Sequence, residues 1–162
     1  MSSYLERVKQ LAERLVATGL ASASQMLPCT DIEIGDIERA QGAPLPAAYR
    51  AFLKLMGRGA GELFEGSDCF YPEVLDAKLF AKALLVEDGG GHKLPQDAIV
   101  ILVHQGYQFY YCEASQGENP PVLHYLEGSG VRQSDTSFMK FLETSGADYE
   151  RPNEELLEDD DV

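Results

Sequence analysis

The spacing of hydrophobic and polar residues predicts helices in the first third of the chain. Apolar side chains recur at every third or fourth position in three stretches, each with a glycine directly after it. This spacing predicts amphipathic helices over residues 4–18, from Asp31 or Glu33 to residue 41, and over residues 46–56. A predicted linker over residues 20–30 separates the first helix from the second.

The middle of the chain has a weaker pattern. We predict a short strand over residues 62–64, a turn over 66–68 and a short helix over 74–80. Residues 81–86 fit a helix and a strand equally well. The glycine-rich run over residues 87–91 predicts a loop.

The last third of the chain carries the clearest strand signal. In the predicted strand over residues 99–104, aliphatic and mostly β-branched residues fill both alternating faces up to Val103, which predicts a central strand. Gly106 separates this strand from a hairpin partner over residues 107–112. The remaining predicted elements are a third strand over 122–128, a turn over 129–131 and a closing helix over 136–146.

This order of elements predicts the α+β fold class, with an antiparallel-rich sheet and helices packed on one side of it. The 162 residues are enough for a single domain, and 44% hydrophobic with 25% charged residues is typical of a globular protein. We place that domain at residues 31–147. An N-terminal amphipathic helix and linker over 1–30 precede it, and an acidic C-terminal tail over 148–162 follows it.

The sequence also predicts where the protein resides. The longest strictly aliphatic run covers residues 99–103, far short of the roughly 20 residues that a membrane-spanning helix needs. Charged residues interrupt the first predicted helix, so that helix lacks the apolar core of a signal peptide. We therefore predict a cytoplasmic protein that has no membrane partner.

The chain is strongly acidic. It holds 13 Lys and Arg residues and 27 Asp and Glu residues, a formal net charge of −14. Half of this charge lies in residues 148–162, and the other half lies in the rest of the chain. Such a charge repels nucleic acids and anionic membranes and attracts a basic partner. The alternative explanation is that the charge only keeps the protein soluble.

The residues that bind metals or act in catalysis do not form recognisable motifs. Three cysteines lie about 40 residues apart and form no CxxC pair, which disfavours a disulfide framework or a zinc site. His92, His104 and His124 have no metal-binding spacing either, although His104 and His124 could meet across neighbouring strands. No nucleophile motif is present. We predict no metal, no cofactor and no enzymatic activity.

Acidic and aromatic residues lie together between residues 64 and 76. Paired carboxylates there could serve glycoside hydrolysis, but the chain has no tryptophan to line a saccharide cleft. An acidic rim around aromatic anchors is instead typical of a protein-binding surface. The acids of the predicted loop after residue 86 extend this surface. The predicted partner-binding residues are Glu65, Asp68, Tyr71, Glu73, Glu87 and Asp88.

Residues 34–57, IGDIERAQGAPLPAAYRAFLKLMG, resemble the opening of the SUKH superfamily (Smi/Knr-type domain). The shared pattern is a helix with Ile and Glu four residues apart, a glycine, Leu-Pro, and a helix that ends in Phe-Leu and glycine. The later strands and the closing helix resemble the same family, so the resemblance covers residues 34–145. Met56 stands where the family commonly has Asn, and residues 66–91 match only loosely.

The resemblance implies a mixed α+β domain without catalytic activity. Many bacterial members look like immunity proteins that neutralise a polymorphic or contact-delivered toxin, often a nuclease or a deaminase. We therefore expect a non-catalytic immunity protein that binds a basic toxin domain through an acidic surface. One alternative is a regulatory or scaffold module on the same fold. Another is an enzyme or a small-ligand binder that uses the carboxylates near residues 65 to 88.

Overall fold

The computed structural model describes residues 3–148, and it contains the three helices predicted in the first third of the chain. The acidic tail predicted over 148–162 lies outside the described residues except for Asp148. The five helices of the described part are α1 (Tyr4–Ala17), α2 (Asp31–Gln41), α3 (Ala47–Met56), α4 (Ala77–Asp88) and α5 (residues 138–148).

Local sequence signals set the ends of the first helices. The Ser3 side chain accepts a hydrogen bond from the backbone N–H of Glu6 at 3.1 Å and so caps α1. Thr30 and Glu33 form a reciprocal capping box at the start of α2. Gly42 ends α2 in the left-handed conformation, with φ 71°, which glycine adopts without steric cost.

The strands form two sheets, and all of their pairings are antiparallel. A two-stranded sheet joins β1 (Met26–Leu27), which lies in the predicted linker, to β2 (Gly59–Ala60). The larger sheet has the order β3-β4-β5-β6-β7. Its strands are β3 (Ser67–Asp68), β4 (Ala98–His104), β5 (Gln108–Glu113), β6 (Val122–Leu126) and β7 (Gly130–Asp135). The predicted α+β class and the hairpin of the central strand are confirmed.

Helices cover both faces of the larger sheet, so the expectation of a single covered side is wrong. The Tyr110 ring lies on one face, 5.3 Å from the Phe141 ring of α5 between centroids. Tyr125 pairs with Phe109, the neighbour of Tyr110, and therefore lies on the opposite face. The Tyr125 hydroxyl donates a hydrogen bond to the carboxylate of Asp88 at the end of α4.

Two predictions just after β2 are also wrong. The expected strand over residues 62–64 is a turn, and the expected turn over 66–68 contains β3. Gly61 has φ 64° and Phe64 has φ 59°, and these left-handed conformations interrupt an extended segment. β3 forms beyond them because its two residues pair with the end of β4.

The remaining differences concern α4 and β7. Residues 81–86 are helical, because their inward-facing positions follow helical spacing. The helix continues through Glu87 and Asp88, which the glycine run had assigned to a loop. β7 begins inside the turn predicted over 129–131, and its largely exposed, polar residues lack the apolar alternation that indicates a strand.

Buried polar side chains attach α2 and α4 to the sheet. The Gln41 amide donates to the backbone carbonyl of Val100 and accepts from its N–H, both at 2.9 Å. Because β3 pairs only with the last two residues of β4, this amide takes the place of a neighbouring strand at Val100. The buried Lys78 ammonium of α4 donates to the backbone carbonyls of Gln41 and Gln96.

The core contains three free cysteines around a buried tyrosine. Burial raises the pKa of Cys29 to about 11 and that of Cys112 to about 12. Desolvation, and after it the proximity of Cys69, Cys112 and Cys29, raises the pKa of Tyr49 well above its ordinary value. Among the described residues, the Tyr49 hydroxyl is the buried side-chain polar atom that lacks a hydrogen-bond partner.

Candidate functional site

Residues 59–77, here called the acidic segment, hold the most one-sided charge in the described part of the chain. The segment has five carboxylates and no Lys or Arg. It follows α3 and comprises β2, a turn, β3 and a 3-10 helix (Glu73–Asp76) that leads directly into α4. The compact path of this segment brings together carboxylates that are as much as eight residues apart in sequence.

Three of these carboxylates line one hollow, here called the acidic cleft. The cleft has a volume of about 160 Å³ and is lined by Asp68, Glu73, Asp76, Ala77, Phe80 and Val103. It forms where Asp68 of β3 pairs with Val103 of β4 and where α4 begins beside them. Carboxylates above an apolar floor with an aromatic ring provide both charge and contact area for a cationic side chain.

None of the three carboxylates of the cleft forms an ion pair with a residue that the structure describes. Their combined field acts on the neighbouring Cys69. Burial is the main cause that raises the pKa of this thiol, and the negative charges of Asp68 and Glu73 raise it further. The cleft is therefore a locally negative site whose charge is not neutralised from within residues 3–148.

Two other predicted residues flank this cleft along the acidic segment. Glu65 is exposed in the turn before β3 and lines a second hollow, beside Phe70. Tyr71 is half-buried, and the guanidinium carbon of Arg58 lies 5.5 Å from the centre of its ring. Arg58 also forms an ion pair with Glu33 of α2, so Tyr71 lies between the acidic segment and the helical part of the molecule.

The structure separates Glu87 and Asp88 from the loop in which they were predicted. Glu87 is exposed near the end of α4. Asp88 accepts hydrogen bonds from the Tyr125 hydroxyl and from the backbone N–H of Gly128. These two bonds, that of Tyr125 first, lower the pKa of the Asp88 carboxyl. Asp88 thus connects α4 to the turn between β6 and β7.

Sequence reasoning missed Phe80 as a part of the site and did not include Asp76 among the binding residues. Asp76 was visible as a member of the acidic cluster. Phe80 follows it by one helical turn, which places both on one side of α4 once residues 77–88 are known to be helical. The predicted helix over residues 74–80 already contains both, but the sequence did not show that the pairing of β3 with β4 lies beside this helix and completes the cleft.

A larger hollow lies between the sheet and α5. It measures about 250 Å³, and its lining includes Ser67, His104, Gln108 and Tyr110. The Ser67 hydroxyl lies 2.7 Å from Nδ1 of His104, and these two residues are direct cross-strand partners in β3 and β4. A hydrogen bond of this kind is typical of paired positions in a sheet.

The two strand histidines do not meet, contrary to the expectation that they could. β5 separates β4, which carries His104, from β6, which carries His124. Nε2 of His124 instead lies 2.7 Å from the side-chain oxygen of Gln108. Burial, and after it the charge of Arg132, lowers the pKa of His124. Within residues 3–148, no group of three or more His, Cys, Asp or Glu side chains could hold a metal ion.

Comparison with known proteins identifies the family. The chain matches the SMI1 / KNR4 family (SUKH-1) over residues 28–144, which include the acidic segment, α4 and the whole larger sheet. This family is known for immunity proteins and is generally non-catalytic. No curated protein matches the chain. In the described part of the chain, no helix is long and apolar enough to cross a membrane. The match extends over well more than half of the sequence, and the chain therefore belongs to the SMI1 / KNR4 (SUKH-1) family.

Proposed function

We propose that this protein is an immunity protein that binds and neutralises a cognate polymorphic or contact-delivered toxin. The observation that supports this function best is the acidic cleft, where three carboxylates that form no ion pair within residues 3–148 lie against an exposed aromatic ring. Membership of a family known for immunity proteins supports it independently.

The negative charge of the cleft favours a toxin with a basic surface. A nuclease or a nucleic-acid deaminase carries basic surface because its substrate is a polyanion. Carboxylates that no internal cation neutralises attract such a surface, accelerate its association and orient it. We place this encounter in the cytoplasm, where the nucleic-acid substrates of such a toxin lie.

The residues of the proposed interface divide by position. Asp68 and Glu73 form its centre, because both line the cleft. Glu65 and Tyr71 extend it along the acidic segment, and Glu87 extends it along α4. Asp88 contributes indirectly by holding the end of α4, since its carboxylate is already engaged by Tyr125 and Gly128.

A charge-reversal experiment tests this interface. The ligand is the basic toxin domain that the tagged protein captures from its native cells, and its binding to the Asp68→Lys/Glu73→Lys variant is measured. We expect at least about a hundredfold weaker binding, because two attractive charges become repulsive. The melting temperature should stay within about 2 °C of the wild type, because neither carboxylate has a partner in the part of the chain that the structure describes. The variant should also fail to protect cells against the toxin.

The matched control reverses two exposed carboxylates on α1. Glu6→Lys/Glu13→Lys changes the net charge by the same amount and lies outside the acidic segment. We expect it to bind the toxin nearly as the wild type does. An equal loss of toxin affinity in both variants would mean that net charge alone causes the effect, and the cleft would no longer be part of the proposal. Stable capture of several housekeeping proteins, and of no toxin, would favour a regulatory or scaffold module instead.

A further inference from the structure

The outer side of α4 carries an apolar stripe that nothing in the described structure covers. Leu79 is 68% exposed and Val86 is 82% exposed, and the exposed Ala83 lies between them. Their spacing of four and three residues places all three on one side of the helix. These three residues are here called the α4 stripe. Its two large side chains are mostly exposed, whereas the inner side of the same helix packs against the sheet.

The two flanks of the α4 stripe differ in charge. At 100° per residue, Asp76, Phe80 and Glu87 project along one flank, and Lys82 projects along the other. Phe80 is 38% exposed and its ring also lines the acidic cleft, so the stripe and the cleft form one continuous surface. That surface is apolar along its length and acidic along one edge.

The fold holds this surface rigidly. The inner side of α4 buries Ala77, Ala81, Leu84 and Leu85, and the Lys78 ammonium donates to two backbone carbonyls outside the helix. At the other end of α4, Asp88 binds the Tyr125 hydroxyl. A docking surface fixed at both ends requires little ordering when a partner binds, which favours affinity.

We propose that the α4 stripe and the acidic cleft together bind an amphipathic helix with a basic flank. Leucine-like side chains of that helix pack on Leu79, Ala83 and Val86, and a Lys or Arg one turn away enters the cleft beside Phe80. This inference rests on the proposed function, since the helix belongs to the toxin domain. It adds the chemistry by which the toxin is recognised.

The dimensions and charge of the surface favour this occupant over a second copy of the chain. Leu79 and Val86 are seven residues apart, or about 10 Å along the helix axis, which matches apolar positions i, i+3 or i+4 and i+7 of a partner helix. Two copies of this chain would each carry a formal net charge of −14 and would repel one another. A basic partner gains from the same charge.

The probe is a fluorescein-labelled 14-residue helical peptide with Leu on one face and Lys on the other. Its binding to the full chain is measured by fluorescence polarisation at about 50 mM and about 300 mM salt. We expect binding that weakens with salt. Two matched peptides, one with every Lys replaced by Glu and one with every Leu replaced by Ser, should each bind at least about tenfold more weakly.

Variants of the protein locate the binding. Leu79→Ser/Val86→Ser should weaken binding of the Leu/Lys peptide at least about tenfold, because it removes the apolar contact area. Ile32→Ser is the matched control, since Ile32 is 77% exposed on α2, and binding should stay within about twofold of the wild type. Equal binding by the stripe variant and the wild type, or an equal loss in the Ile32 variant, would overturn the proposal.

Toxin binding by the same variants separates this inference from the proposed function. If Asp68→Lys/Glu73→Lys loses toxin and the stripe variant binds it normally, the acidic interface stands and the helix-docking inference fails. If only the stripe variant loses toxin, the charge-based interface fails together with the entry of a basic side chain into the cleft, and only the apolar contact with the stripe stands. A dimer of the wild type in sedimentation that the stripe variant dissociates would make the stripe a self-interface and would also overturn the proposal.

Discussion

The carboxylates of α2 and those of the acidic cleft serve different purposes. Each of the three partnered carboxylates on α2 has a cation of its own: Glu33 pairs with Arg58, Asp36 with Arg39 and Glu38 with Arg50. In the acidic cleft, Asp68, Glu73 and Asp76 have no such partner among residues 3–148. The two regions are neighbours in the fold, with α2 packed against the 3-10 helix that carries Glu73 and Asp76.

This difference shows which charges the fold uses for its own structure. Where a carboxylate pairs with an internal cation, its field cancels within a few ångströms and only a local structural effect remains. Where carboxylates share a cleft without cations, their field extends to an approaching molecule. The comparison therefore predicts large stability effects for the polar groups of α2 and small ones for the cleft.

The largest expected effect is at Gln41, the last residue of α2. Gln41→Ala removes both hydrogen bonds to Val100 and leaves a buried N–H and a buried carbonyl without partners. We expect the free energy of unfolding to fall by about 3 kcal/mol, since each orphaned buried group costs roughly 1–3 kcal/mol. Denaturant unfolding at neutral pH measures the loss.

An exposed glutamine gives the matched control for this prediction. Gln10 on α1 is exposed, and Gln10→Ala should change the free energy of unfolding by less than about 0.5 kcal/mol. If Gln41→Ala cost no more than this control, the amide would not be replacing a strand beside Val100. The claim that α2 uses its polar groups to hold the sheet would then be wrong.

The next largest effect on stability is expected at Glu38, and this effect should depend on pH. Its carboxylate accepts from the backbone N–H of Leu45 at 3.0 Å and pairs with Arg50. The Leu45 bond is the first cause that lowers the pKa of Glu38 below its ordinary 4.5, and the charge of Arg50 adds to it. A lowered folded-state pKa stabilises the fold above the ordinary value, and this contribution disappears as the pH falls through the folded value.

We therefore expect Glu38→Gln to cost about 1.5 kcal/mol at pH 7, a value kept modest because the side chain is partly exposed. The difference from the wild type should shrink between pH 7 and a pH well below 4.5, because the wild-type carboxyl becomes neutral as the pH falls through its lowered folded-state pKa. Unfolding curves at both pH values measure it, with exposed Glu13→Gln as the control. A difference that persists unchanged at the lower pH would show that charge is not its cause.

Sequence could predict much of this fold because its helices and central strands carry local signals. The helical spacing of apolar residues in α1, α2 and α3, the glycines after these helices and the two-faced apolar run of β4 indicated those elements directly. β3 and β7 could not be found in this way. β3 has only two residues and exists through its pairing with β4, and β7 is an exposed polar edge strand. Both depend on partners that are distant in sequence.

The candidate site was predictable to a similar degree. The acids and aromatic residues between residues 64 and 76 cluster in the sequence itself, and this pattern alone predicts Asp68 and Glu73 as binding residues. Phe80 was missed because its role depends on the pairing of β3 with β4 beside α4, a contact between segments that are distant in sequence. Asp88 is the opposite case, a residue that was predicted to bind a partner but that the fold already engages. Its sequence context resembles that of a free surface acid, and only the fold brings Tyr125 to it.

Tyr49 sharpens the comparison, since its hydroxyl is buried like Gln41 but lacks a partner like the carboxylates of the cleft. Tyr49→Phe keeps the ring that packs edge-on against Phe138, at 5.5 Å between centroids, and removes the oxygen. We expect stability to rise by about 1 kcal/mol, because a desolvated group without a hydrogen bond is deleted. Thermal unfolding measures the change. A clear loss of stability would show that the hydroxyl has a partner, such as a buried water.

The smallest expected effect on stability belongs to the acidic cleft. Asp68→Asn/Glu73→Gln removes two charges without changing the size of either side chain. We expect the free energy of unfolding to change by less than about 0.5 kcal/mol, because neither carboxylate has a partner to lose among the described residues. Toxin binding should nevertheless weaken, and Glu38→Gln, which removes one paired charge, should have the reverse profile. A loss of stability above about 1 kcal/mol in the cleft variant would mean that these carboxylates hold the fold, and the contrast with α2 would fail.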